Sequence, residues 1–399
     1  MTFVLEIVFW LCLLAILHSY LFYPLLLKVL SIGKKPNSII YEREEDFPFI
    51  SIIMSVYNEE RVIEEKLQCL FELDYPADKW RIFIGSDCSA DQTNAIVSKW
   101  AEKEERLQFF PYQQRRGKPG VINELVREAT QLEPMGKDHI FLITDANVML
   151  TPPVLKSLTK HFKNEDIAVV DAHMIHTGMK KEGISKVENQ YISSEVRVKY
   201  LEGVIWKKMI GPFGGCYSIR SNYYSDVPSN FLVDDFYITM RAFEQKGGAI
   251  NELEAKCYEG VSHDIKEEYR RKARISAGNY QNLLTFPHLW WPPFRTLNFA
   301  FFSHKILRWF GPFFLILLFL TSLILAITGA RLYALFFVAF TVGLMIFPLL
   351  DLVFNKLKIN VLGLRASRYF LMMNLALLEG FFKFMKGVKT NAWEPPKRV

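Results

Sequence analysis

At 399 residues, 50% hydrophobic and 15% aromatic, the chain is too long for one minimal domain and too apolar for a disordered one. Its 48 Lys and Arg against 42 Asp and Glu leave a net charge of +6; the basic residues crowd the flanks of apolar segments, so a membrane surface is the expected anionic partner and no nucleic acid is. The five cysteines, Cys12, Cys69, Cys88, Cys216 and Cys257, are scattered without zinc-ligand spacing, which excludes a disulfide framework and predicts reduced thiols.

Ile7 to Leu27 carries no charged side chain and is long enough to cross the hydrocarbon, which takes about 20 residues. Lys28, Lys34 and Lys35 follow it, so it is expected to be an uncleaved membrane helix with the N-terminus outside and the following chain cytoplasmic. Residues 1–34 form this first segment, and a soluble domain is expected over 48–263. Residues 264–309 hold a basic helix and then an aromatic, proline-interrupted stretch from Phe286 to Trp309, a composition suited to the headgroup layer. Phe310 to Ala330 and Leu332 to Leu350, split by Arg331, predict a transmembrane hairpin within 310–354. In 355–399, Tyr369 to Val388 places Glu379, Lys383 and Lys386 on one helical side, which favours a helix lying in the interface over a further span. The whole reads as a multi-pass protein of the cell (inner) membrane.

Between Phe49 and His263 short β-rich runs alternate with longer helical ones, the pattern of an α/β domain with a mostly parallel sheet. Strands are expected at Ile50 to Val56, Arg81 to Gly85, Leu107 to Tyr112, Ile140 to Thr144 and Ala168 to Ala172. Asn58 is placed to cap a helix carrying Val62, Ile63, Leu67, Leu70 and Phe71, and further helices are expected at Asp91 to Trp100 and Pro119 to Thr130. Ligands of an open α/β sheet sit beyond the carboxyl ends of its strands. There the chain reads Tyr57-Asn58-Glu59, then Asp87-Cys88-Ser89-Ala90-Asp91, then Arg115-Arg116-Gly117-Lys118, then Asp145-Ala146-Asn147.

These clusters, with the acidic pair Asp234-Asp235 and the basic run Arg271 to Arg274, resemble in order and spacing the membrane-integrated inverting glycosyltransferases of family 2, the group of cellulose, chitin, hyaluronan and poly-N-acetylglucosamine synthases. The resemblance spans Phe49 to about Gln281 and implies a nucleotide-sugar-binding fold of the glycosyltransferase A type. It implies that Asp87, with Tyr57 and Glu59, lines the nucleotide pocket, that Asp235 is the catalytic base with Asp234 in support, and that Gly214 and Gly215 underlie the donor and acceptor sugars. Asp145 and Asn147 are oxygen ligands suited to a Mg²⁺ or Mn²⁺ that keeps its waters and the diphosphate, and His263 is a further candidate ligand. The family usually has a second aspartate where Asn147 stands. Lys118 can pair with phosphate at a helix N-terminus, and Arg271 and Arg274, one turn apart, can clamp the leaving diphosphate.

Structural roles compete at each position: an Asx turn at Asp145, a turn or cap at Asp87, dipole partners at Asp234 and Asp235, a solvated Lys118, a headgroup-binding helix at Arg271. The processive synthases carry Q-x-x-R-W where this chain reads Arg271-Lys272-Ala273-Arg274-Ile275. The leading expectation is therefore transfer of a sugar, UDP-linked by the resemblance, to a membrane-proximal glycan or lipid-linked acceptor. The alternatives are a processive polysaccharide synthase, completed by a homo-oligomer or a secretion partner, and a non-catalytic nucleotide-sugar or lipid-binding scaffold.

Overall fold

The computed structural model describes residues 2–177, 184–260, 265–357, 359–388 and 391. The chain divides into two compact units, one made of Met1–Val29, Met179–Glu195 and His263–Gly387, the other of Leu30–Gly178, Val196–Ser262 and Val388–Val399. The second unit holds an eight-stranded sheet: β1 (Phe49–Val56), β2 (Trp80–Asp87), β3 (Leu107–Tyr112), β4 (His139–Thr144), β5 (Val148–Leu150), β6 (Ile167–Thr177), β7 (Cys216–Arg220) and β8 (Gly248–Gly260), in the order β3-β2-β1-β4-β7-β6-β8-β5.

β1, β2 and β4 are mainly apolar and buried, as strands covered on both faces must be, whereas β3 is an edge strand with Leu107 buried and the rest half-buried or exposed. Ile50, Ile52 and Met54 of β1 and Ile82 and Ile84 of β2 share one core with Ile63, Leu67 and Leu70 of the helix Ile63–Phe71 and Val97 of the helix Thr93–Ala101. The helix Gly117–Leu132 packs against β1 and β2. It comes so close that a Cβ on Gly85 would lie 2.5 Å from Val121 Cγ1.

Sequence periodicity found β1 to β4 and the start of β6, and missed β5, β7 and β8. The thirteen-residue β8 alternates buried Ala255 and Cys257 with exposed Lys256 and Tyr258, so it lacks an apolar run. The sheet is also less uniformly parallel than expected. β1, β2, β3 and β4 pair in parallel, but β7 runs antiparallel to both β4 and β6, and β5 runs antiparallel to β8. All five cysteines are free.

In the helical unit, Thr2–Leu30 and Arg331–Lys356 are long and apolar enough to cross a membrane. The expected second crossing is different in form: Thr296–Trp309 and Gly311–Ile327 meet at a 61° bend and qualify only as a pair. Pro312, with no N–H and a ring that clashes with the preceding turn, starts a new helix there rather than extending the old one. The helices Thr2–Leu17, Gly311–Ile327 and Arg331–Thr341 share a core of Phe9, Cys12, Leu318, Leu325 and Tyr333. The helix Leu362–Met385 is not among those apolar enough to cross. It lies along the helix Ile265–Thr285, so close at Gly380 that a Cβ would meet Ser276 Cβ at 2.3 Å.

Candidate active site at the ends of the central strands

The strand order reverses about β1, which has β2 on one side and β4 on the other. At such a point the connections leave in opposite directions and open a crevice at the carboxyl ends of the strands. After β1 the chain turns sharply at Asn58, whose φ is +51°. Asn58 does not cap the next helix as expected. It bridges instead to the loop after β2: its N–H donates to Ser89 Oγ (3.1 Å) and its Oδ1 accepts from the Ala90 N–H (2.9 Å). The helix starts at Ile63, and the Glu59 carbonyl accepts from the N–H groups of Val62 and Ile63. Glu59 is buried, with its own N–H on Thr93 Oγ1 at 2.8 Å.

Asp87 ends β2 with its carboxylate buried. It accepts from the Arg116 N–H (2.5 Å), the Gly117 N–H (3.1 Å) and Arg115 Nε (2.9 Å). Asp87 thus fixes the loop that opens the helix Gly117–Leu132, neutralising its exposed N-terminal donors. The Arg115 guanidinium lies 3.4 Å from the centre of the Tyr57 ring, so Tyr57, Arg115 and Asp87 form one stack-and-pair unit. Sequence reasoning noticed Arg115 within a basic loop and gave it no role; nothing short of the fold reveals that it reaches back to both β1 and β2.

Lys118 points from that loop to the far side of the crevice. Its ammonium is 2.8 Å from Asp145 Oδ1 and 3.8 Å from Asp234 Oδ2. Burial pulls the Lys118 pKa down, but the carboxylates of Asp145 and Asp234 outweigh it and raise it above its ordinary value. Asp234 and Asp235 open the helix Asp234–Glu244, both buried. Burial, then the neighbouring charge of Asp234, pushes the Asp235 carboxyl up to about 7 against the opposing pull of Lys118. Gly214, at φ +82°, allows this approach: a Cβ there would sit 2.7 Å from Asp235 Oδ2. The next residue ties the cluster together, since the Gly215 carbonyl accepts from both the Asp145 N–H (3.0 Å) and Thr144 Oγ1 (3.1 Å). Asn147, half-buried, donates through Nδ2 to Glu259 Oε1 of β8 at 3.0 Å.

Behind the glycine loop is a buried ion pair that sequence reasoning missed. Lys199 Nζ contacts Asp171 Oδ2 at 2.6 Å, with Lys199 and Asp171 side chains 2% and 0% exposed. Asp171 also accepts from the Phe213 N–H (3.2 Å) and Asn251 Nδ2 (3.1 Å), and Lys199 lies 3.5 Å from the Phe213 ring centre. The pair thus holds the Gly211–Gly215 segment at Phe213.

Among the described residues no group of three or more His, Cys, Asp and Glu side chains forms a metal cage. The donor set at Asp145 fits a cation of another kind, one held by a single carboxylate and completed by the substrate's diphosphate and water. Asp234 Oδ2, buried and without a hydrogen bond among the described residues, and the ammonium of Lys118 between two acids mark the same spot as one that takes positive charge. His263 lies outside the described residues. Arg271 and Arg274 are on the helix Ile265–Thr285 of the helical unit, where Arg271 grips Glu268 through Nε (2.8 Å) and Nη2 (3.1 Å). The cluster around Asp145 is built from the sheet-containing unit alone.

The profile described as Glycosyl transferase family group 2 matches residues 140–348, and that of Glycosyl transferase family 2 matches residues 51–227. The chain belongs to glycosyltransferase family 2. Within it, the chain is similar to the beta-monoglucosyldiacylglycerol synthase of Trichormus variabilis, 26% identical over 138 residues covering 34% of this chain and 28% of that protein. It is also similar to the poly-beta-1,6-N-acetyl-D-glucosamine synthase of Staphylococcus epidermidis, 25% identical over 142 residues covering 33% and 34%. The matched segments thus span about a third of these curated relatives. A mannosyltransferase from Pyrobaculum calidifontis, solved in complex with GDP-Man and Mn²⁺, superposes over 96% of this chain and 99% of its own with a TM-score of 0.71 at 19% identity. That likeness shows the glycosyltransferase A-type fold.

Proposed function

We propose that this family 2 glycosyltransferase moves a sugar from a nucleoside-diphosphate sugar to a membrane-proximal glycan or lipid-linked acceptor, with inversion. The observation that carries the reading is the convergence of Asp145, Lys118, Asp234, Asp235 and Gly214 within one crevice. The nucleotide would lie along Tyr57 and Glu59 toward Asp87, with Arg115, held on the Tyr57 ring and Asp87, bordering the base. Asp145, seconded by Asn147, would hold Mg²⁺ or Mn²⁺, which when bound neutralises the charge that builds on the departing diphosphate. Lys118 supplies a fixed positive charge at the same phosphates.

Asp235 accepts the proton of the acceptor hydroxyl as its oxygen bonds to the anomeric carbon, while the bond from that carbon to the diphosphate oxygen breaks. One displacement inverts the centre. An environment that raises a carboxyl toward neutrality suits a general base, because base strength rises with pKa while enough of the group stays ionised. Gly214 and Gly215 let the sugar approach the backbone above Asp235.

The helices capable of crossing a membrane, with Lys28, Lys34 and Lys35 after the first, support a multi-pass protein of the inner membrane whose sheet unit is cytoplasmic. The test is a panel of UDP- and GDP-sugars offered to full-length, detergent-held protein with Mn²⁺ or Mg²⁺, followed by sizing of the product. Asp235→Asn is expected to lower turnover by about 10²–10⁴-fold. Near-normal turnover in that variant removes Asp235 from the chemistry; a ladder of long polymer replaces single transfer with processive synthesis.

A further inference from the structure

The helix Ile63–Phe71 carries a lysine on its apolar face. Ile63, Leu67 and Leu70 keep core spacing, and Lys66 falls among them with no exposure at all. Its amino group reaches the underside of the candidate site. Lys66 Nζ donates to Thr144 Oγ1 at 3.0 Å and to the Val148 carbonyl at 2.5 Å. These two acceptors stand on either side of the turn that holds Asp145, Ala146 and Asn147: Thr144 is the last residue of β4 and Val148 the first of β5. Thr144 Oγ1 passes the connection on to the Gly215 carbonyl at 3.1 Å, which also takes the Asp145 N–H. One buried amino group is thus bonded to both stems of the turn and, through Thr144, to the glycine loop.

A methionine of similar length would fill the same space without a polar head to desolvate, whereas only a donor head closes the turn at both stems. We propose that Lys66 is a positioning residue for Asp145, holding the turn in the shape that captures a divalent cation already bound to a nucleoside diphosphate. The inference rests on the reading above that Asp145 meets such a cation. Because Asn147, whose Nδ2 donates to Glu259, brings no negative charge, the site depends on one carboxylate being held in place, and a loosened stem moves that carboxylate directly.

The experiment uses the full-length protein in detergent and follows free Mn²⁺ by electron paramagnetic resonance in the presence of GDP or UDP. Binding of the same nucleotide without metal is measured alongside it, and turnover with the best donor of the panel. Lys66→Met is expected to weaken Mn²⁺ retention about 10- to 100-fold, the usual effect of removing a group that orients a ligand, while metal-free nucleotide binding stays within about twofold. Thr144→Val, nearly the same size, is expected to shift Mn²⁺ retention in the same direction by a smaller factor, and carries the test if Lys66→Met does not fold. Cys69→Ala separates positioning from general loosening of the helix, because Cys69 bonds Leu150 at the other end of β5 from the Val148 that Lys66 holds; its Mn²⁺ retention should match wild type. Wild-type Mn²⁺ retention in both Lys66→Met and Thr144→Val, or an equal loss in Cys69→Ala, overturns the proposal. Wild-type protein that retains no Mn²⁺ with either nucleotide removes the cation reading and this inference together.

Discussion

Replacing Gly214 by alanine tests the geometry of the carboxylate proposed as the base, Asp235, more directly than removing it does. The backbone there has φ +82°, a conformation that costs a residue with a Cβ about 1–2 kcal/mol. The added Cβ would also stand 2.7 Å from Asp235 Oδ2. Carbon and oxygen at rest keep about 3.3–3.6 Å apart, so the carboxylate must move by roughly 0.6 Å or more. Misplacement of a reacting group by about 1 Å costs about 10²-fold, which puts the expected loss of turnover at about 10- to 100-fold. Gly215→Ala is the comparison. Its Cβ meets Met174 Cε at 2.5 Å and Val148 Cγ2 at 2.9 Å and no carboxylate, so packing suffers more than chemistry. Release of nucleoside diphosphate gives the turnover, and thermal melting in the same detergent gives the stability of each variant. Gly214→Ala turning over like wild type, or losing no more than Gly215→Ala, refutes the placement of Asp235 at the reacting centre.

Asp235 should also leave a signature in pH dependence. Burial and Asp234 raise its carboxyl from 3.8 to about 7, with Lys118, Lys199 and the Phe236 N–H opposing. The native state therefore holds a proton that the unfolded chain has released, and stability should fall as pH rises from about 4 to 7. Asp235→Asn should flatten that slope in melting curves, while wild-type turnover rises along a limb near 7; an unchanged slope in the variant counts against the raised carboxyl. Lys199→Met leaves Asp171 buried and unpaired, an expected loss of about 3–5 kcal/mol, and Lys199→Met with Asp171→Asn should recover part of it; a single variant melting with wild type would show that the pair does not hold the glycine loop. Arg115→Ala removes the guanidinium from Tyr57 and Asp87 and is expected to change KM for the nucleotide sugar several-fold with kcat nearly constant. An effect on kcat alone would place Arg115 elsewhere in the reaction.

Local chemistry made the strands β1, β2 and β4 legible, because strands buried on both faces are mainly apolar, and β3 by its aromatic residues. It also marked the residues that end them, since polar side chains after such runs have nowhere to lie but the rim. Tyr57, Asp87, Lys118 and Asp145 are of that kind. Asp234 and Asp235 stood out as two acids opening a helix, and the apolar helices by their length. Tertiary structure alone decided what those residues do to one another. It showed Asp87 closed on the loop of Arg115 to Gly117, Asn58 joined to Ser89 and Ala90 rather than capping a helix, and Lys66 and Lys199 sunk beneath the site. A lysine within an apolar period looks like an interruption of the pattern until the strand stems it bonds are brought over it from about 80 residues away. Periodicity reports which face of an element is buried; the partner waiting on that face is supplied by chain segments distant in sequence, and their placement is a property of the packed sheet.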